Sequence, residues 1–232
     1  MKLLGLIGGT SWPSTIDYYR LINLGINEKL GGLNFSRCII YSFNYEDIRA
    51  NHATNSWDKT LQMVSEAGIH LKNGGAEAIV LCANTLHLIA EESEEKIGLP
   101  VIHIATATAI EIVKTGINKV ALLGTKFTME KDFFTNKLQQ QNIQTIIPEK
   151  EDREFIHDTI FEELGRGEII ETTRQRYLHI IQQLIAQGAK GIILGCTEIP
   201  MLIKPEDVSV PVFDTTKIHA AAAVAFSLST TL

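Results

Sequence analysis

The sequence predicts an α/β protein of two pseudo-symmetric halves, each a mostly parallel four-stranded sheet flanked by helices. Short apolar runs rich in β-branched residues alternate with segments of helical period along the whole chain, the pattern of parallel strands covered by helices. Two stretches also spell nearly the same thing without a gap: Gly75-Ala76-Glu77-Ala78-Ile79-Val80-Leu81-Cys82-Ala83-Asn84-Thr85 and Gly188-Ala189-Lys190-Gly191-Ile192-Ile193-Leu194-Gly195-Cys196-Thr197-Glu198. In the same order, Leu6-Ile7-Gly8-Gly9-Thr10 is matched by Leu122-Leu123-Gly124-Thr125, and Pro100-Val101-Ile102-His103 by Pro211-Val212-Phe213-Asp214. Three landmarks repeated in order indicate a duplicated topology.

The first apolar run, near 2–8, is too short for the core of a signal peptide and leads into Gly8-Gly9-Thr10-Ser11, so it reads as a buried strand. A helix opens at Ser11-Trp12-Pro13, where proline suits the first turn, and closes at Gly31-Gly32. Strands are expected near 37–43, 77–82 and 100–103, with helices at 55–73, 85–97 and 105–115. The second half repeats the theme with strands near 119–123, 143–147, 190–194 and 210–213 and helices at 129–141, 151–164, 168–187 and 215–228. The expected division places 1–98 plus 213–232 in an N-terminal α/β domain and 99–212 in a C-terminal one. Ligands of open α/β sheets bind beyond the carboxyl ends of the strands, so the site is expected in the cleft between the halves.

A hydrophobic content of 45% is ample for packed cores, and a formal charge of −6 argues against coating nucleic acid or an acidic membrane. A small polar metabolite is the better-suited ligand. No apolar stretch approaches the ~20 residues that span a bilayer. Cys38, Cys82 and Cys196 are odd in number and lack CxxC spacing, which disfavours a disulfide framework or structural zinc and suits a reducing, cytoplasmic setting. No HExxH, EF-hand or paired-histidine spacing points to a metal.

Cys196 ends an apolar strand before Thr197-Glu198-Ile199-Pro200, where backbone N–H groups of a strand-to-helix turn are expected to lower its pKa and make a thiolate base. Cys82 is one residue out of register with it, and a one-residue shift in a strand turns the side chain to the other face, so Cys82 reads as packing and Ala83 as the matching post. Asn84 and Thr85, with the N–H groups of the helix that follows, form a plausible carboxylate cradle, and Thr197 is its counterpart. Thr10 and Ser11 in the first loop and Thr125 with Thr128 in the second bring hydroxyls to the same strand ends. These glycine loops lack the spacing of a dinucleotide fingerprint or phosphate loop. Arg49 and Arg166 are the candidate cations for a side-chain carboxylate, because arginine grips both oxygens at once. His87 is placed to orient the Asn84 turn, while His103 and His219 read as capped or core-satisfied.

Taken together, Gly8-Gly9-Thr10-Ser11-Trp12, Leu81-Cys82-Ala83-Asn84-Thr85-Leu86-His87 and Gly195-Cys196-Thr197-Glu198-Ile199-Pro200 resemble the landmarks of the aspartate/glutamate racemase superfamily, over essentially the whole chain. The nearest branch is that of the aspartate racemases. The resemblance implies an isomerase that needs no pyridoxal phosphate, metal or nucleotide, works on an acidic amino acid by two-base α-proton transfer, and forms a homodimer. It implies cysteine, or threonine at the first, on both posts; here they hold Ala83 and Cys196. It also matches Arg166, in Glu163-Leu164-Gly165-Arg166, to a basic residue of the family. With one post empty, the expectation is a PLP-independent racemase of the aspartate/glutamate type whose two-base chemistry is impaired or one-sided. The alternatives are a single-cysteine decarboxylase or isomerase of a malonate-type acid and a non-catalytic binder of amino or dicarboxylic acids.

Overall fold

A computed structural model describes residues 1–230 and divides them into two compact units, Met1–His103 with the C-terminal segment from His219, and Ile104–Ile218. In the first unit, β1 (Leu4–Gly8), β2 (Cys38–Ser42) and β3 (Ala78–Leu81) form a parallel sheet in the order β2-β1-β3. Its helices are α1 (Trp12–Leu30), α2 (Tyr45–Ala53), α3 (Trp57–Asn73) and α4 (Ala90–Ile97). The second unit begins with α5 (Ile104–Lys114) and continues through β4 (Lys119–Gly124), α6 (Lys126–Glu130), α7 (Asp132–Gln139), β5 (Gln144–Ile146) and α8 (Lys150–Glu162). It then runs through α9 (Glu171–Ala186), β6 (Ile192–Gly195), α10 (Ile199–Leu202) and β7 (Val212–Asp214), with the parallel sheet order β5-β4-β6-β7. The last helix, α11 (Thr215–Leu228), carries the chain back into the first unit.

Strand alternation sorts side chains onto the two faces of each sheet. Leu4 and Leu6 of β1 with Ala78, Val80 and Cys82 pack against α1 and α11, through Tyr18, Ile22, Ala220 and Val224. Ile7, Ile79 and Leu81 face the other way, onto α3 and α4. In the second unit Ile192 and Leu194 face α8 and α9, while Ile193 joins Phe134 and Ile112 on the α5 and α7 side.

Two expectations are corrected. The fourth strand of the first unit is reduced to one parallel bridge, Val101 to Ile79, so that sheet has three strands. That bridge ties residues 99–103 to the first unit, whereas pairing of β7 with β6 ties 213 and 214 to the second; the divisions accordingly fall at 103/104 and 218/219, not 98/99 and 212/213. Among the described residues, no helix is long and apolar enough to cross a membrane.

Candidate active site

At the carboxyl edge of the first sheet, the turns after β1 and β3 are bonded together. Ser14 Oγ donates to Cys82 O at 2.8 Å, and Cys82 N donates to Ile7 O at 2.8 Å. Thr15 Oγ1 accepts from Gly9 N at 2.9 Å and donates to Ser11 O at 3.1 Å, closing the loop onto the start of α1. Gly9 is held at φ +83°, and a Cβ there would stand 2.2 Å from Phe43 O, so only glycine fits. The loop carrying Thr10 and Ser11 and the turn carrying Ala83, Asn84 and Thr85 thus follow neighbouring strands of one sheet. Thr10 Oγ1 is buried with no hydrogen-bond partner, a hydroxyl available to a ligand.

Ala83 is partly accessible and packs toward the α3–α4 face, while Cys82 is fully buried on the opposite face among Leu6, Tyr18 and Ala223. Burial drives the Cys82 thiol far above its ordinary range, so it stays protonated and inert. Asn84 is buried; Thr85 opens a 3-10 turn, Thr85–Ile89, with α4 starting only at Ala90. The cradle therefore lacks the regular helix N-terminus expected of it. His87 is buried and its Nδ1–H donates to Ala83 O at 3.0 Å, since a carbonyl can only accept. Desolvation lowers its pKa to about 4, so it is a neutral clamp on the turn. His219 is likewise neutral, its pKa lowered to about 3, first by burial and then by His87; its Nε2–H donates to Ile102 O, and Nδ1 accepts from Tyr18 Oη at 2.8 Å. His103 packs edge-on against His87.

In the second unit, Gly124 and Gly195 pair in register at the ends of β4 and β6, and a Cβ on either would lie 2.9 Å from a backbone oxygen of the other strand. Thr125 caps α6 by accepting from Thr128 N at 3.3 Å; Thr128 is fully buried against the paired glycines and supports the turn from beneath. Cys196 continues the row of Ile192 and Leu194 and retains accessible surface. Its thiol donates to Glu198 Oε2 at 2.8 Å, and Thr197 Oγ1 donates to the same oxygen at 2.7 Å. The lowered pKa expected of this thiol is not found. Desolvation first, then the Glu198 carboxylate, raise it well above the ordinary thiol value, outweighing the backbone N–H groups of Thr197 and Glu198. At rest Cys196 holds its proton, with a carboxylate placed to receive it.

Arg166 is exposed at the end of a 3-10 turn, Leu164–Arg166, that packs beside α10 and so near the Cys196 turn. Arg49 is exposed on α2 and donates twice to Glu46, at 2.9 and 2.6 Å. Sequence reasoning missed Ser14 and Thr15, although Ser11-Trp12-Pro13-Ser14-Thr15 already shows hydroxyls on successive first-turn positions. It also missed Thr215, whose Oγ1 donates to Leu194 O at 2.9 Å, and Thr216, whose buried hydroxyl has no partner. A depression of about 380 Å³ walled by Leu194, Pro200, Lys204, Asp214 and Lys217 contains none of the candidate residues. No cluster of three or more His, Cys, Asp or Glu among the described residues is arranged to hold a metal.

A family profile described as Asp/Glu/Hydantoin racemase matches residues 7–223. The chain is 49% identical to a candidate Asp/Glu racemase from Yersinia pestis, whose solved structure matches with a TM-score of 0.94 over 99% of this chain and 100% of that one. It is 35% identical to an aspartate racemase homologue from Pyrococcus horikoshii, with a TM-score of 0.85 over 99% and 100% of the two chains. The broad specificity amino-acid racemase RacX of Bacillus subtilis is 23% identical over 237 residues, 98% of this chain and 99% of that protein.

Proposed function

Because the chain belongs to the Asp/Glu/hydantoin racemase family, we propose that it is a cytoplasmic, cofactor-independent enzyme that moves the α-proton of an acidic amino acid with the Cys196 thiol, and does so chiefly on one face. One observation carries this reading: a protonated thiol bonded to Glu198 at the end of β6, with Ala83 at the equivalent place after β3. Glu198 takes the thiol proton; the thiolate then removes the substrate's α-proton, so that the C–H bond breaks as an S–H bond forms. Return of a proton from the same thiol restores the starting enantiomer. Inversion needs a donor on the other face, and the methyl of Ala83 offers none, leaving water or the unpartnered Thr10 hydroxyl. Thr10, Ser11, Asn84, Thr85 and Thr197 are assigned to the α-carboxylate and amine, with Thr125 and Thr128 shaping the second turn. Arg166, with Arg49 as a second cation, is assigned to the distal carboxylate, and the working unit is taken as a homodimer.

The test is incubation of L-aspartate and L-glutamate with the protein in deuterated water. Deuterium is expected at Cα much faster than D-enantiomer accumulates, and Ala83→Cys is expected to speed racemisation by about 10²-fold or more, the worth of a positioned acid. Absence of exchange with both substrates overturns the acidic amino-acid assignment. A second reading is supported by the same resting thiol. A malonate-type acid that loses CO₂ leaves a carbanion needing only one proton, and Cys196 holds one. Release of CO₂ from such an acid, with no exchange into amino acids, would favour it.

A further inference from the structure

His157 is a titratable group of the second unit that the chemistry above leaves without a task, yet it grips the turn that neighbours Cys196. It lies half-buried on α8, edge-to-face with Phe127 and Phe161, whose ring centroids stand 6.4 and 5.0 Å away. The Lys126 amide donates to its Nδ1 at 3.2 Å. Because an amide N–H can only donate, the neutral ring carries its proton on Nε2. Lys126 is the first residue of α6, and the start of a helix leaves such N–H groups without a backbone acceptor. His157 supplies that acceptor from a separate helix, while Thr125 takes the N–H of Thr128. A further tie to α8, from Lys126 Nζ to Glu154 Oε1 at 3.8 Å, is long and exposed and adds little.

The fastened peptide joins Thr125 to Lys126 directly after Gly124, and Gly124 pairs in register with Gly195, the residue before Cys196. These glycines approach so closely that a Cβ on Gly124 would stand 2.9 Å from Gly195 O, so a shift of one turn is felt by the other. We propose that neutral His157 is a positioning residue for the Cys196 turn, holding the Thr125–Lys126 peptide by accepting the Lys126 N–H, and that protonation of Nδ1 releases it. A protonated Nδ1 is a donor facing another donor. The surroundings favour the neutral ring: burial first, then the Lys126 charge, lower its pKa, while Asp158 on α8 and Glu130 on α6, itself paired with Arg153, act the other way. The hold is therefore complete above the ~6.5 of an ordinary histidine and is lost only at lower pH.

This role rests on the α-proton transfer assigned to Cys196. Its test follows deuterium exchange at Cα of L-aspartate and L-glutamate, from about pH 8 down through the ~6.5 of an ordinary histidine, for the wild type, His157→Asn and His157→Leu. The Oδ1 of asparagine stands one atom beyond Cγ, as Nδ1 does, and accepts a hydrogen bond without titrating. At the alkaline end His157→Leu is expected to exchange about 10-fold more slowly than wild type, the worth of one hydrogen bond, and His157→Asn to restore the rate. In acid the wild type should slow toward the leucine variant, so that the ratio of asparagine variant to wild type climbs from about 1 to about 10. A ratio that stays flat in an active enzyme overturns the role of His157 alone. A wild type that exchanges no α-proton overturns the Cys196 reading and this role with it. Where His157→Leu fails to fold, the asparagine ratio still decides.

Discussion

The Oε2 atom of Glu198 receives hydrogen bonds from both Cys196 and Thr197, so one carboxylate adds its charge to burial in keeping the thiol protonated, and in the proposed mechanism it is the first acceptor of that proton. Glu198→Gln removes that charge, and the thiol pKa is expected to fall because one of its two leading causes is gone. At neutral pH the thiolate fraction then rises. Peptide-mapped iodoacetamide labelling of Cys196 should accelerate in the variant while α-proton exchange slows, and labelling at an unchanged or lower rate would contradict the assignment. The position of the thiol was legible from register, because a period of two residues sends Cys82 and Ala83 to opposite faces. Its ionisation was not. Sequence places Glu198 two residues away but does not say that its side chain turns back onto the sulfur.

Loops at the strand ends depend on glycines whose environments differ, and the contrast can be measured. Gly9 combines φ +83° with Phe43 backbone atoms 2.2 and 2.3 Å from any Cβ, whereas Gly167, left-handed at φ +80° and ψ 13°, has nothing within 4 Å. Gly167→Ala should cost only the left-handed backbone strain, about 1 kcal/mol, while Gly9→Ala must also displace the Phe43 backbone and should lower the melting temperature considerably more. Equal effects in thermal melts would show that the Gly9 contact is not tight. Among the elements, seven of the eight expected strands were legible to within about two residues as short apolar or β-branched runs, while the run at 100–103 makes only one bridge. α2 was missed because Ile48 is its one buried residue, which leaves no apolar stripe to read. The helix expected at 129–141 is two helices, α6 and α7, broken at Lys131, whose extended backbone (φ −95°, ψ 149°) follows no proline or glycine signal.

Across the whole molecule, two neutral buried histidines set the response to acid. The folded pKa values of His87 and His219, about 4 and about 3, lie below the ~6.5 of an unfolded histidine, so the unfolded chain binds more protons as pH falls through 6.5. Their contribution is complete above that value and drains away beneath it, by up to about 1.4 kcal/mol per pH unit for each. Melting temperature should therefore drop steadily between pH 6.5 and 4.5, and a flat profile would contradict the neutral assignment. The duplicated topology was legible in the sequence; the crossing points were not, because one bridge at Val101 decides the first of them. Between those crossings the second unit is a single uninterrupted stretch, whereas the first is completed only by α11, which delivers Ala220, Ala223 and Val224 to its core and bonds Lys2 N to Ser227 O. During synthesis the later-made unit can mature first, and the earlier-made one must await α11. A chain halted before α11 would leave that waiting sheet bare, which makes it a natural client for chaperones.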